Sequence, residues 1–304
     1  MTLTPRIALL LLLPPLLWAG NAIVGRLVVP DIPPLMLNLL RWLLALALLL
    51  PLGWTALKRP GEVLRRWRYL APLGLLGVGS YNSLQYMALR TSTPLNVTLI
   101  AASMPVWMLL IGALFYREHP QRRQLLGALL SLLGVALVLS RGDLSALARV
   151  HFVAGDLLML VAVMCWGGYS WLLARPPASM QGEARPAWGW AEFLLVQTLF
   201  GLFFSGITAG IEHELTPMTV VWSPWLLLAL AYVAIGPSVI AYRCWGLGVM
   251  AVGPAVAAFF SNLTPVFAAL LSAALLGEWP QWFHGAAFAL IAAGIAVSSR
   301  RQAG

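Results

Sequence analysis

Long apolar runs separated by short polar stretches dominate the pattern of the chain. A helix crosses the hydrocarbon core of a bilayer with about 20 mostly apolar residues, and ten segments of the chain meet this requirement. The connections between them are too short to hold a soluble domain. The pattern therefore predicts an all-α integral membrane protein with ten transmembrane helices. The predicted helices are residues 6–28, 33–54, 69–89, 93–116, 122–140, 152–174, 188–210, 225–247, 253–276 and 281–299.

One part of this pattern occurs twice, because residues 94–141 align with residues 254–301 at a fixed offset of 160 without a gap. Each copy contains two of the predicted helices, so the same helical hairpin is present twice. Self-similarity at a fixed spacing indicates a duplicated architecture. The matched pairs include Pro94 and Pro254, Pro105 and Pro265, Glu118 and Glu278, and Gly134 and Gly294.

Lysine and arginine residues set the orientation of the helices, since short loops on the cytoplasmic side carry an excess of them. When the loop at residues 55–68 is placed in the cytoplasm, thirteen basic residues lie on that side and four on the other. Both termini are then cytoplasmic. Ten helices give five to each half, and an odd number turns the second half upside down in the membrane. We therefore predict an N-terminal repeat at residues 1–150 and an inverted C-terminal repeat at residues 151–304, as in many secondary transporters.

The composition agrees with a membrane protein, since 61% of the 304 residues are hydrophobic and 10% are charged, whereas soluble domains average about 25% charged residues. The net charge of +9 does not indicate a nucleic-acid partner, because the basic residues cluster at helix ends. Cys165 and Cys244 fit neither a disulfide framework nor a metal cluster. The expected partners are the lipid bilayer and a small-molecule substrate, and a monomer is sufficient for both.

A proline within a helix, a glutamate at the helix end and a glycine in the next helix recur in both halves, with Pro105 and Glu118 in the first and Pro265 and Glu278 in the second. Together with ten helices in a five-plus-five arrangement, this pattern resembles the EamA family of the drug/metabolite transporter superfamily. Arg41 also lies where that family often has arginine. The resemblance covers nearly the whole chain. It implies an exporter of small metabolites in the bacterial inner membrane, most similar to the aromatic amino-acid exporters.

Polar and aromatic side chains in the middle of the predicted helices are the candidates for substrate binding, because facing lipid costs polar groups free energy. Amides can hydrogen-bond a zwitterion, aromatic rings can stack on a flat cargo, and an arginine can bind a carboxylate through two parallel hydrogen bonds. Two alternatives stay open: polar groups can join neighbouring helices, and Arg41 can make a structural contact or extend toward the membrane surface. The predicted substrate-binding residues are Trp18, Asn21, Asn38, Arg41, Tyr81, Gln85, Tyr86, Trp166, Tyr169 and Asn262.

The prolines and glutamates of the repeated motif are predicted to be architectural. A proline inside a helix frees a carbonyl group and bends the helix, so Pro105 and Pro265 are expected to kink their helices and to serve as hinges. Glu118 and Glu278 are expected to bind helix-end amides or nearby basic groups.

No carboxylate lies in the middle of a predicted helix, which argues against export of cationic drugs and leaves proton antiport without an obvious carrier. The four histidines lack metal-ligand spacing, and the chain has no glycine-rich phosphate loop. We therefore expect no enzyme activity, catalytic residue, metal or cofactor. The sequence favours a secondary transporter that exports small metabolites, in particular amino acids including aromatic ones, by alternating access. The alternatives are a passive facilitator or channel and a membrane-embedded lipid-modifying enzyme.

Overall fold

The computed structural model of the protein describes residues 3–28, 30–92, 94–149, 151–215, 219–276 and 281–299. All regular secondary structure in these ranges is helical, which confirms the predicted all-α class. The α-helices are α1 (Pro5–Val28), α2 (Pro34–Gly53), α3 (Pro60–Leu64), α4 (Trp67–Leu73), α5 (Tyr81–Ala88), α6 (Pro94–Ala102), α7 (Met104–Tyr116), α8 (Arg122–Leu139), α9 (Ala154–Ala174), α10 (Trp190–Leu215), α11 (Pro224–Val233), α12 (Ala241–Val252), α13 (Pro254–Ser261), α14 (Thr264–Leu276) and α15 (Trp282–Ser299). Short 3-10 helices occupy Trp54–Lys58, Leu144–Arg149, Ala178–Met180 and Gly182–Ala184.

Two π-helical segments interrupt the long helical runs, Gly74–Ser80 between α4 and α5 and Ala234–Ile240 between α11 and α12. A π-helix widens the backbone turn and shifts its hydrogen bonds from the fourth to the fifth residue, and such turns are frequent at functional sites. The apolar pattern of the sequence predicts the helices on either side and gives no sign of the π-helical segments.

Eight helical segments in the described ranges are long and apolar enough to cross a membrane, and α6 with α7 would add a ninth as a pair bent by 44°. The run from Trp67 to Ala88, which forms most of the predicted third span, is not among these segments. Its second half is rich in polar residues, among them Asn82 and Gln85. The apolar, multiply spanning character of the chain is therefore supported, and the count of ten spans stays a prediction.

Helix boundaries repeat at the same offset of 160 residues that relates the two matching sequence segments. α7 and α14 begin and end at equivalent residues, as do α8 and α15 and the two π-helical segments. The structural correspondence reaches back to Gly74, whereas the sequence match begins at Pro94. Residues at equivalent positions in this earlier region, such as Asn82 and Tyr242, are no longer alike, so the structure extends the repeat beyond what the sequence displays.

The two halves of the chain interlock through corresponding helix pairs. α8 packs along α15, α2 packs along α10, and α1 contacts α12 as α9 contacts α5. Small residues let α8 and α15 approach closely. A Cβ atom added to Gly294 would lie 2.7 Å from the carbonyl oxygen of Gly127 and 2.6 Å from Oγ of Ser131. Backbone as well as side chains therefore form the contact between the halves.

A buried carboxylate near the end of α10 ties three parts of the chain together. Glu212 is 5% exposed, and its Oε2 atom accepts hydrogen bonds from the N–H groups of Leu35 at 2.8 Å and Met36 at 3.1 Å. Its Oε1 atom pairs with the Arg90 guanidinium at 3.2 Å. The carboxylate thus satisfies free amides and complements the positive end of the helix dipole in the first turn of α2.

Candidate functional site

Six aromatic side chains gather around Trp166 of α9, near the middle of the helical bundle. Trp166 is 2% exposed, and its indole Nε1 atom has no hydrogen-bond partner among the described residues. Together with Trp166 we call them the Trp166 cluster. The ring centroids nearest to Trp166 belong to Tyr169 at 5.1 Å, Trp18 and Tyr81 at 5.2 Å, Tyr242 at 5.3 Å and Trp245 at 5.5 Å. The sixth ring, Trp42, contacts Tyr242 at 4.9 Å.

Four of the predicted substrate-binding residues, Trp18, Tyr81, Trp166 and Tyr169, therefore meet in the Trp166 cluster. They come from α1, α5 and α9, and the contacts between helices of the two halves bring them together. Aromatic pairs at these separations attract one another beyond their area of contact. The cluster is thus part of the packed core.

Arg41 of α2 lies beside this cluster and is 1% exposed. Its Nε atom donates to Oγ of Ser238 at 2.9 Å and its Nη1 atom to the hydroxyl of Tyr86 at 3.4 Å. The guanidinium also lies 5.5 Å from the ring centroid of Trp42. Arg41 forms no salt bridge with any carboxylate of the described residues. Its burial argues against extension to the membrane surface, and the contacts of this positive charge with Ser238, Tyr86 and Trp42 are all with neutral groups.

The π-helical segments receive hydrogen bonds from side chains of distant helices. Tyr242 donates to the carbonyl of Gly77, Asn38 to that of Val78 at 3.4 Å, and Trp18 to that of Pro237 at 3.3 Å. Within its own run, Ser238 of the second segment donates to the carbonyl of Val233 of α11 at 2.7 Å. Buried carbonyls need such donors because an unsatisfied group is costly. In this conformation the indole nitrogen of Trp18 and the Nδ2 atom of Asn38 join neighbouring helices, as the alternative interpretation of the sequence allowed, while the Oδ1 atom of Asn38 has no partner among the described residues.

Other amide side chains of the predicted substrate-binding set have buried polar atoms without hydrogen-bond partners. Asn21 is 6% exposed and its Oδ1 atom has no partner, while Asn262 is 2% exposed and both of its side-chain polar atoms lack partners among the described residues. Asn262 lies between α13 and α14. Gln85 is half-buried on α5. Buried polar atoms without partners are uncommon and call for a ligand, a water molecule or a conformational change.

A cavity of about 230 Å³ lies where α9 ends, α10 begins and the connection at residues 175–189 covers α12. We call it the loop cavity. Tyr169 and Tyr242 belong to its lining, so the cavity ends on the Trp166 cluster. Among the described residues, Tyr169 is the single predicted substrate-binding residue that lines the loop cavity. The other nine lie in or near the closed centre, or at helix contacts.

Arginine, glutamine and a further tyrosine complete the polar lining of the loop cavity, namely Arg185, Arg243, Gln197 and Tyr69. Arg243 lies near the cytoplasmic end of the predicted eighth helix, a position typical of residues that extend to the membrane surface. In the structure its guanidinium lies 4.2 Å from the ring centroid of Trp190 at the cavity. The sequence places Arg243 between two aromatic residues, Tyr242 and Trp245, and this pattern could have indicated the site. Arg185 carried no signal, since its position depends on how the 175–189 connection folds.

The architectural residues of the repeated motif lie at helix breaks and helix ends. Pro105 is in the first turn of α7, directly after the break at Ser103, and Pro265 occupies the corresponding place in α14. Glu118 pairs with Arg175, at the end of α9, in keeping with the expected basic partner. Glu278 lies outside the described residues. The hinge role of the two prolines stays a prediction. Within the described ranges, no group of three or more His, Cys, Asp or Glu residues could hold a metal ion.

Comparison with known proteins gives the family. The sequence profile of the EamA-like transporter family matches residues 5–140 and 153–300. An uncharacterized transporter of Archaeoglobus fulgidus is 28% identical over 97% of each chain. A Salmonella typhimurium protein named "Probable amino-acid metabolite efflux pump" is 26% identical, over 95% of this chain and 93% of its own. An uncharacterized inner membrane transporter of Escherichia coli, YedA, is 27% identical over 86% of this chain and 80% of its own.

A solved crystal structure shares the fold, with a TM-score of 0.73, 24% sequence identity and coverage of 97% of this chain and 96% of that chain. The relatives named above are transporters, which confirms the expectation that the protein is not an enzyme. The profile covers both halves of the chain. The protein belongs to the EamA-like transporter family, as the repeated proline and glutamate motif indicated.

Proposed function

We propose that the protein is a bacterial inner-membrane secondary transporter that exports amino acids, aromatic ones among them. The observation that carries this proposal is the buried guanidinium of Arg41, which has no described carboxylate partner and which connects through Trp42 and Tyr242 to Trp166. A buried charge is stable when it is paired. The carboxylate of a cargo supplies the missing partner, and the neighbouring rings supply a surface for its side chain.

The chemistry of the interior supports a carboxylate cargo over a cationic one. A cation would need an acidic partner near the centre of the bundle. The described acidic residues Glu118 and Glu212, which form ion pairs, lie toward helix ends instead. A relative of similar length is named an amino-acid metabolite efflux pump, which agrees with this choice. The proposed site residues are those of the sequence prediction, with Tyr242 and Trp245 added from the Trp166 cluster.

Alternating access is the proposed mechanism. The halves at residues 1–150 and 151–304 would form two inverted five-helix repeats with both termini in the cytoplasm, and they would rock against each other around the central site. The loop cavity lies at the end of the bundle that charge counting assigns to the cytoplasm, and the Trp166 cluster closes the way onward. Opening the cluster while the cavity closes would pass the cargo across. The π-helical segments and the breaks before Pro105 and Pro265 are the proposed bending points.

Efflux of radiolabelled amino acids from preloaded membrane vesicles tests the proposal. Replacing Arg41 by glutamine should lower phenylalanine efflux by roughly tenfold or more, since a charge-assisted hydrogen bond is lost. The exposed Arg68, replaced by glutamine, is the matched control and should leave efflux unchanged. Efflux of every amino acid tested at the wild-type rate by the Arg41→Gln protein would contradict the proposal. Accumulation against a gradient that an uncoupler abolishes distinguishes a coupled transporter from a passive facilitator.

A further inference from the structure

The loop cavity combines two unpaired cations with an apolar wall. Arg185 and Arg243 both line it, and neither forms a salt bridge with a carboxylate of the described residues. Trp190, on which Arg243 stacks, and Phe193 belong to the same lining. An arginine that lies flat on an aromatic ring keeps its hydrogen-bonding edge free for an incoming anion.

The deep part of the same cavity offers an oxygen atom without a hydrogen-bond partner. Gln197 is 2% exposed, and its Oε1 atom accepts no hydrogen bond within the described ranges. Its Nε2 atom donates to the carbonyl of Phe193 at 3.2 Å, and this bond requires the nitrogen to face the helix backbone. Tyr169, which is 1% exposed, lines the cavity too.

The cavity therefore presents two positively charged hydrogen-bond donors, Arg185 and Arg243, on its exposed side and one neutral acceptor, Gln197, in its buried part. A simple anion without a proton to donate, such as sulfate, would use the arginines and leave the acceptor of Gln197 unpaired. A cation would use the acceptor and meet two positive charges. A zwitterion satisfies both ends, and an apolar cavity of about 150 Å³ already holds benzene, so about 230 Å³ has room for an aromatic side chain.

We infer that the loop cavity is a loading site for a zwitterionic α-amino acid, occupied before the cargo reaches the Trp166 cluster. Arg243 binds the carboxylate with help from Arg185, and Gln197 accepts a hydrogen bond from the ammonium group. The ring of the cargo lies against Trp190 and Phe193. This assignment rests on the proposed function, because it gives the same cargo a first place to bind.

Equilibrium binding to the purified full-length protein in detergent tests the site with three compounds. L-Phenylalanine carries both charges, L-phenylalaninamide lacks the carboxylate and 3-phenylpropanoate lacks the ammonium group. Wild-type protein should bind phenylalanine most tightly. Arg243→Gln should reduce the preference for phenylalanine over its amide by about tenfold, and Gln197→Leu should reduce the preference over phenylpropanoate by a similar factor. Each substitution should leave the other preference unchanged.

Ratios of affinities, unlike single affinities, do not fall merely because part of the sample is misfolded. Arg68→Gln, at an exposed position outside the cavity lining, should change neither ratio. The inference is overturned if both variants retain wild-type ratios while wild-type vesicles still export phenylalanine, and the proposed function then stands. If the wild-type protein neither binds nor exports any amino acid, both the loading site and the proposed function fail.

Discussion

At the scale of single residues, Glu212 illustrates how much a buried acid depends on its surroundings. Its carboxylate accepts hydrogen bonds from the amides of Leu35 and Met36 and pairs with Arg90. The sequence places this residue at a helix end and says nothing about its partners, because they come from α2 and from the turn after α5, far away along the chain. Pairing of this kind arises only when the helices are assembled.

Replacing Glu212 by alanine should lower the stability of the protein by about 1–3 kcal/mol, because two buried amides lose their acceptor. Thermal unfolding in detergent measures the change. Glu214→Ala is the matched control, since that side chain lies two residues further along the same helix and is exposed, and it should unfold at the wild-type temperature. Equal melting temperatures for both variants would show that the carboxylate does not hold α2.

Arg41 and Arg243 differ in a way that the sequence does not display. Both are single basic residues within apolar runs, but Arg41 is enclosed by Ser238, Tyr86 and Trp42, whereas Arg243 is exposed on a cavity wall. Depth along a helix is readable from residue spacing. The direction in which a side chain points relative to its neighbours cannot be read from the sequence. For this reason the central part of the candidate site could be predicted and the loop cavity could not.

At the scale of helices, the close approach of α8 and α15 depends on glycine. A Cβ atom on Gly294 would be under 3 Å from atoms of both Gly127 and Ser131, a distance at which one helix must move. Gly285 belongs to the same helix, and a Cβ atom there would meet nothing within 4 Å. Alanine substitutions at the two positions therefore distinguish the effect of helix packing on stability from the effect of helix propensity.

Gly294→Ala should destabilise the protein by about 1–3 kcal/mol, as overpacking of a close contact does. Gly285→Ala should leave stability unchanged or raise it slightly, by up to about 1 kcal/mol, because alanine favours the helix. Unfolding temperatures of the two purified variants give the comparison. A Gly294→Ala protein as stable as the Gly285→Ala protein would mean that α8 and α15 are not in close contact.

The helices themselves follow from the sequence with few exceptions. Apolar runs locate them, and the prolines at positions 105 and 265 mark where α7 and α14 start after a break. The π-helical segments escape prediction because Gly74–Ser80 and Ala234–Ile240 share no sequence signature apart from small residues. Side chains of other helices donate to their carbonyl groups, Tyr242 and Asn38 in the first segment and Trp18 in the second. Tertiary contacts rather than local preference select that backbone.

At the scale of the whole molecule, the open question is whether the run from Trp67 to Ala88 crosses the membrane. We predict that it does, which makes the total ten and the two halves inverted. In a background where Cys165 and Cys244 are replaced by serine, cysteines introduced at Gly61 and Thr91 flank this run. A membrane-impermeant thiol reagent should label the first only in inside-out vesicles and the second only in right-side-out vesicles.

Two further positions calibrate that experiment. Glu183 and Ser145 are exposed in connections on the predicted cytoplasmic and outer sides, and their cysteine variants should follow the patterns of Gly61 and Thr91, respectively. Labelling of the Gly61 and Thr91 variants from the same side would reduce the number of spans by one, and the two halves would then not be related as inverted repeats. The proposed rocking mechanism would then lose its basis.

The hydrogen bond between Tyr242 and Gly77 also bears on how the protein is made. A ribosome delivers Gly77 to the membrane long before Tyr242, so the widened turn around Gly77 lacks its donor until the second half arrives, and the buried carbonyl of Pro237 in turn depends on Trp18. Each half thus completes the other's backbone. An ancestor with a single half would have needed a second molecule for the same purpose, and on the inverted topology that we predict, that ancestor would have been an antiparallel homodimer.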